Sequence, residues 1–78
     1  MNLAYVLITV EIGTDKEVLR ELREMPEVCE IYEVYGVYDI IVKVEASNMS
    51  SLKDVIAQKI RRIDRVRSTV TTIIIEDD

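Results

Sequence analysis

Asp39 is the only charged residue in the apolar stretch of residues 34–41, which has the sequence VYGVYDII. A carboxylate in that place can accept hydrogen bonds from backbone N–H groups near a turn, where Asp is common. It can also accept from the ammonium group of a ligand, because a charged group is costly to remove from water unless it is paired. Gly36 has no Cβ and would let a ligand approach the backbone closely. The stretch is therefore either a plain hairpin or the anchor of a binding site.

The residue types that the chain lacks exclude several other chemistries. The 78 residues include no histidine and one cysteine, Cys29. Catalysis by histidine, a histidine-ligated zinc site, an internal disulfide and a multi-cysteine metal site are therefore excluded. We predict a binding protein rather than an enzyme, with no catalytic residue, no metal and no other cofactor.

The charge balance argues against direct contact with nucleic acid. The formal net charge is −5, from 15 acidic and 10 basic residues, whereas phosphate binding needs clustered cations. The basic run of residues 59–67 is typical of the last turn of a helix, where cations suit the helix dipole. The apolar residues 1–10 lack the features of a signal peptide and are too short to span a bilayer. We predict a cytoplasmic protein without membrane attachment.

The first half of the chain predicts a strand followed by a helix. Residues 3–12 form an apolar, β-branched run that suits a central strand covered on both faces. Gly13 ends this strand, and Thr14 with Glu17 matches the capping box of a helix. Pro26 stops that helix.

The second half predicts three strands and one helix. Residues 28–35 alternate with period two, which places Val28 on the same face as Glu30 and Tyr32. Residues 38–45 alternate again, a helix capped by Ser47 or Asn48 follows, and residues 66–75 form the last strand.

The element order βαββαβ predicts an α+β, ferredoxin-like fold, with a four-stranded antiparallel sheet of order 4-1-3-2. Both helices then cover one face of the sheet. Because the first strand is apolar on both faces, the open face would be an exposed apolar patch unless a second copy covered it. We predict a homodimer in which two sheets face each other.

Two segments carry a resemblance to a known family. Gly36-Val37-Tyr38-Asp39, followed by the strand of residues 40–44, resembles the glycine–x–aromatic–Asp signature of the Lrp/AsnC effector domain, called RAM. Residues 63–72 resemble the segment of that domain that joins the second helix to the last strand. The resemblance spans residues 1–78 and implies a single RAM domain without a helix-turn-helix domain.

The family resemblance implies a regulatory, amino-acid-binding protein. It implies homodimers that assemble into rings, with an octamer expected, and an amino-acid effector held between dimers. Docking onto full-length Lrp/AsnC transcription regulators would be a further means of regulation. The effector-binding residues that the resemblance implies are Gly36, Val37, Tyr38 and Asp39, together with the Thr69 and Thr71 hydroxyls of a neighbouring subunit.

Two alternatives stay open at the level of the sequence. One is a purely structural or partner-binding module, in which Asp39 is a turn residue, Gly36 supplies a positive φ, and Thr69 and Thr71 are ordinary β-formers. The other is an ACT-like amino-acid-binding domain, which would use Gly13.

Tyr35 stands where the family often has a small hydroxyl residue. The hairpin offers apolar side chains and no second charge, so we expect an apolar amino acid.

Overall fold

The computed structural model describes residues 1–75, which form one antiparallel sheet with helices packed on one side. The sheet order is β2-β3-β1-β4, so the predicted order and the ferredoxin-like α+β fold are confirmed. Within this part of the chain, no helix is long and apolar enough to cross a membrane. The elements are β1 (Asn2–Val10), α1 (Asp15–Arg23), β2 (Val28–Glu33), β3 (Ile40–Ala46), α2 (Met49–Asp54), a π-helical continuation of α2 (Val55–Ile60), and β4 (Val66–Ile74).

The core lies between the helices and one face of the sheet. Alternate residues of β1 and β3 point towards the helices, as strand periodicity requires, and α1 and α2 contribute their apolar stripes. The fully buried side chains with the largest volumes are Ile8, Leu22, Ile40, Leu52 and Ile60.

The other face of the sheet has no covering layer in the single chain. The β1 residues Leu3, Tyr5 and Leu7 lie there half-buried, opposite Ile74, Thr72 and Val70 of β4. Towards β2 the same face becomes polar: Tyr32 donates a hydrogen bond to Glu30 at 2.6 Å, and Lys43 lies 3.5 Å from Glu30. The Glu30 carboxylate raises the pKa of Lys43. The open face is thus apolar along β1 and β4 and charged along β2 and β3.

The first helix begins without the predicted capping box. The Thr14 side chain makes no cap hydrogen bond; its hydroxyl donates instead to the Glu11 carbonyl at 2.7 Å. Gly13 adopts φ +81° in this turn, which glycine tolerates because it has no Cβ. Asp15 and Glu17 lie in the first turn of α1 and suit the helix dipole. At the second helix the predicted cap is correct, since Asn48 Oδ1 accepts from the Ser51 N–H at 2.8 Å.

The alternation predicted for β2 is wrong at its first residues. Val28 pairs with Val44 and Glu30 with Lys43, so β2 has one extra residue, Cys29, relative to β3. This bulge turns Val28 to the helix side, where it packs against the core. Glu30 therefore lies on the opposite face from Val28, and Cys29 is exposed.

Truncating a core side chain should destabilise the fold far more than truncating an exposed one. We expect Ile8→Ala, at a fully buried position, to lower the free energy of unfolding by about 2–5 kcal/mol, because it leaves a cavity. The matched control is Ile12→Ala, whose side chain is 98% exposed, with a change within about 0.5 kcal/mol. Urea unfolding at one fixed protein concentration measures both. Equal losses in the two variants would contradict this packing.

Candidate functional site

Asp39 is held in place from two neighbouring strands. Its Oδ2 accepts a hydrogen bond from the Val10 N–H at 2.9 Å, and its own N–H donates to the Ile8 carbonyl at 2.9 Å. Its carbonyl accepts from the Val34 N–H at 2.9 Å. The carboxylate thus takes the place of a strand partner for Val10, and β1 ends there, short of the predicted residue 12.

One oxygen of this half-buried carboxylate stays available. Among the described residues, Oδ2 has a protein donor and Oδ1 has none. A carboxylate can accept several hydrogen bonds at once. Asp39 therefore stabilises the hairpin through its Oδ2, as its interpretation as a turn residue requires. Its Oδ1 remains available to accept from a ligand, in an orientation that the Val10 hydrogen bond fixes.

A cleft of about 490 Å³ lies against this hairpin, at the end of β1. Of the predicted site residues, Val37 and Asp39 line it, and the hairpin residues Val34 and Tyr35 line it as well. Gly36 and Tyr38 belong to the hairpin but not to the lining. Val37 is 85% exposed and Tyr35 fully exposed. The cleft is thus lined by exposed apolar side chains of the hairpin and by the oriented carboxylate of Asp39.

The two predicted threonines lie elsewhere in the same chain. Thr69 and Thr71 pair with Ile8 and Val6 in the sheet and share the face that bears the helices. Thr69 lines a separate depression of about 310 Å³, together with Arg61, Val66, Arg67 and Ser68, and neither threonine lines the cleft. One chain therefore brings together only part of the predicted site.

The sequence matches the family model described as the Lrp/AsnC ligand binding domain over residues 3–77. The chain belongs to this family. No curated protein matches it.

Several solved structures share the fold of this chain. FFRP-DM1 is 43% identical, with a TM-score of 0.93, and the match covers 96% of this chain and 100% of that one. The hypothetical protein PHS023 from Pyrococcus horikoshii is 42% identical, with a TM-score of 0.91 and coverage of 99% and 93%. The transcriptional regulator NMB0573 from Neisseria meningitidis, solved as a complex with L-Met, shares the fold at 13% identity and a TM-score of 0.86. That match covers 97% of this chain and 51% of the regulator.

Within this one Lrp/AsnC domain, neither the backbone conformation nor the surrounding space requires a glycine at position 36. Among the described glycines only Gly13 has a positive φ, so a positive φ at Gly36 is not what the hairpin needs. A Cβ built at Gly36 would meet nothing within 4 Å. Any requirement for glycine here must come from something outside the single chain, such as a ligand or a second subunit.

Four charged residues of the cleft were not predicted from the sequence. Glu11, Asp15, Glu33 and Arg67 line it beside Asp39. They come from four separate segments, so no local motif could have indicated them. The further charges of the cleft therefore come from outside residues 34–38 of the hairpin, which offer no second charge.

Two of these carboxyl groups interact directly. A hydrogen bond between the Asp15 and Glu33 side chains lowers the pKa of Asp15 and raises the pKa of Glu33. Lys16 lies 3.8 Å from Glu33. Acidic side chains therefore outnumber basic ones in the lining of the cleft.

Replacing Asp39 should weaken the fold as well as any ligand site. Asp39→Ala leaves the Val10 N–H without its acceptor, and we expect a loss of about 1–3 kcal/mol in the free energy of unfolding. Asp39→Asn keeps an acceptor oxygen and should lose less. Asp64→Ala, at a side chain that is 90% exposed, is the matched control and should change little. If urea unfolding gave Asp39→Ala the stability of the control, the Val10–Asp39 hydrogen bond would not be structural.

Proposed function

We propose that this Lrp/AsnC domain is a self-associating regulatory module that binds an amino acid at the hairpin cleft. The observation that carries the proposal is the Asp39 carboxylate, which the Val10 N–H orients and which keeps one free acceptor beside an apolar wall. The family is described as a ligand-binding domain, and a regulator with the same fold was solved with L-Met. Both support an amino acid as the class of ligand.

The chemistry of an amino acid fits the parts of the cleft. Its ammonium group needs a charged acceptor when it leaves water, and Asp39 Oδ1 supplies one. Val34 and Val37 offer apolar contact to a side chain. Backbone N–H groups near Gly36 can approach a ligand closely, because Gly36 has open space around it. Thr69 and Thr71 would reach the ligand from a neighbouring subunit, since they do not line the cleft of their own chain.

Self-association follows from the uncovered sheet face. Leu3, Leu7 and Ile74 make one half of that face apolar, and an uncovered patch of this kind marks an interface. The occupant that suits it is a second copy of the same face, because two sheets pack well through their apolar faces. Dimers of this kind would then meet at their hairpin clefts to build a larger ring, for which we propose an octamer.

Of the two alternatives to this proposal, one is removed and one remains. Membership of the Lrp/AsnC family removes the ACT-like interpretation, and the turn at Gly13 explains that glycine without a ligand. A structural module without a ligand is the remaining rival. We propose a binding protein that is not an enzyme, that acts on full-length relatives in the cytoplasm, and that does not itself bind DNA.

The assembly can be tested by placing a charge on the open sheet face. Val70, which is 46% exposed, lies on that face opposite Leu7. We expect the wild type to elute with a mass well above the 9.0 kDa of one chain, and Val70→Glu to shift towards the monomer, because a carboxylate is costly to bury unpaired. Ser50→Glu adds the same charge on the exposed helix side and should leave the mass unchanged.

Light scattering behind a sizing column gives the mass, and circular dichroism confirms that each variant is folded. A monomeric wild type would contradict self-association. An unchanged mass in folded Val70→Glu would move the interface away from the open sheet face.

The ligand can be sought with a thermal-shift screen of the twenty proteinogenic amino acids. A ligand that binds only the folded state stabilises it by about 2.7 kcal/mol at a hundredfold excess over its Kd, which raises the Tm by several degrees. Apolar amino acids suit the apolar side chains of the hairpin, and basic amino acids suit the acidic side chains of the cleft. A shift with either class would therefore be informative about the ligand. We expect at least one to shift the wild type and the Asp64→Ala control, and to shift Asp39→Asn less.

Two results would count against this site. If no amino acid shifts the wild type, the structural module becomes the better account. If the shift in Asp39→Asn equals that of the wild type, Asp39 does not bind the ligand.

A further inference from the structure

Arg67 is placed by an irregularity in the sheet. Thr9 pairs with Ser68, but the next residue, Val10, pairs with Val66, so Arg67 is an extra residue in β4. Bulges of this kind re-aim a side chain and are frequent next to functional sites. Here the bulge lies opposite Val10, the residue whose N–H orients Asp39.

The backbone before the bulge is also unusual. Arg65 has φ +83°, a left-handed conformation that is uncommon for a residue other than glycine. Its carbonyl accepts from the Glu11 N–H at 2.9 Å, and its guanidinium lies 3.6 Å from the Glu11 carboxylate. Such conformations persist only where the surroundings enforce them, and they cluster at functional sites. The chain therefore enters β4 in a fixed conformation, in contact with the cleft residue Glu11.

The charge of Arg67 is not neutralised within the described chain. Arg65 has acidic partners in Glu11 and Asp64, whereas Arg67 has no carboxylate within 4.0 Å among residues 1–75. It is the only cation in the lining of the cleft. It also lines the depression that contains Thr69, and no other residue belongs to both linings. Arg67 thus connects the two parts of the predicted site.

We propose that Arg67 binds the α-carboxylate of the amino acid whose ammonium pairs with Asp39, an inference that rests on the proposed function. A guanidinium presents parallel N–H donors that match both oxygens of a carboxylate. Asp39 and Arg67 lie on opposite sides of Val10. The Val10 N–H holds the Asp39 carboxylate, and Arg67 is next to Val66, the β4 partner of Val10. This arrangement selects free amino acids, which carry both charges, against amines that lack the carboxylate.

The rival arrangement gives the carboxylate to backbone N–H groups near Gly36. The two differ in what they require of the side chain at position 67. Only the guanidinium model makes binding depend on Arg67 and on a free carboxylate in the ligand at the same time.

The test is calorimetric titration of the full chain with each of the twenty amino acids and with the corresponding amino-acid amides, which lack the carboxylate. We expect Arg67→Gln to weaken the best wild-type ligand by about ten- to a hundredfold in Kd. Arg67→Lys should restore binding only in part, because an ammonium lacks the planar fork. Arg62→Gln, at an exposed arginine outside both linings, is the matched control and should bind as the wild type does.

The amide derivative separates the carboxylate from the rest of the ligand. It should bind the wild type weakly, and Arg67→Gln should not weaken it further. Unchanged binding of the amino acid to folded Arg67→Gln would overturn the proposal while leaving the amino-acid function intact. A wild type that binds none of the twenty would overturn the proposed function itself, and this inference with it.

Discussion

The hydrogen bond from the Val10 N–H to Asp39 Oδ2 is the interaction on which the site depends. It ends β1, fixes the hairpin between β2 and β3 against the central strand, and orients the carboxylate at the cleft. A flexible side chain would lose conformational freedom on binding a ligand, and a pre-oriented one avoids that cost. The same bond explains why one residue can serve both the fold and the ligand. Structural and functional interpretations of Asp39 are therefore complementary.

The central position of β1 imposes the second constraint. Ala4, Val6, Ile8 and Val10 lie in the core against the helices, and Leu3, Tyr5 and Leu7 make the open face apolar. Two helices cover only one face of the sheet, so the other face is left for the second copy that we propose. Thr69 and Thr71 lie apart from the cleft of their own chain, so the proposed site likewise needs residues from two chains. In the proposed assembly, one chain supplies the hairpin and a neighbouring chain supplies the threonines.

The sequence predicts the fold well because its signals are local. Strand alternation, helical stripes and the Asn48 cap each lie within a few neighbouring residues, and their order determines the topology. The predictions that are wrong involve partners that the local pattern does not reveal. Thr14 resembles an N-cap, yet its hydroxyl bonds back to Glu11. The Cys29 bulge depends on the register with β3, which periodicity within β2 cannot reveal.

The residues that line the candidate cleft are less predictable from the sequence, for the same physical reason. The sequence singles out Asp39 because it is a lone charge in an apolar stretch. Glu11, Glu33 and Arg67 meet it only after the strands have paired. No spacing in the sequence links them, and the bulge that places Arg67 exists only in the paired sheet.

Binding of an amino acid at Asp39 is reported most directly by the backbone amide of Val10. That N–H donates to the same carboxylate that would accept the ligand's ammonium. Backbone amide chemical shifts should be followed by NMR while the protein is titrated with each of the twenty amino acids. We expect one of them to shift the Val10 amide and the amides of residues 36–39 together, with a single saturation curve. Saturable shifts confined to other parts of the chain, or no saturable shift with any amino acid, would contradict binding at Asp39.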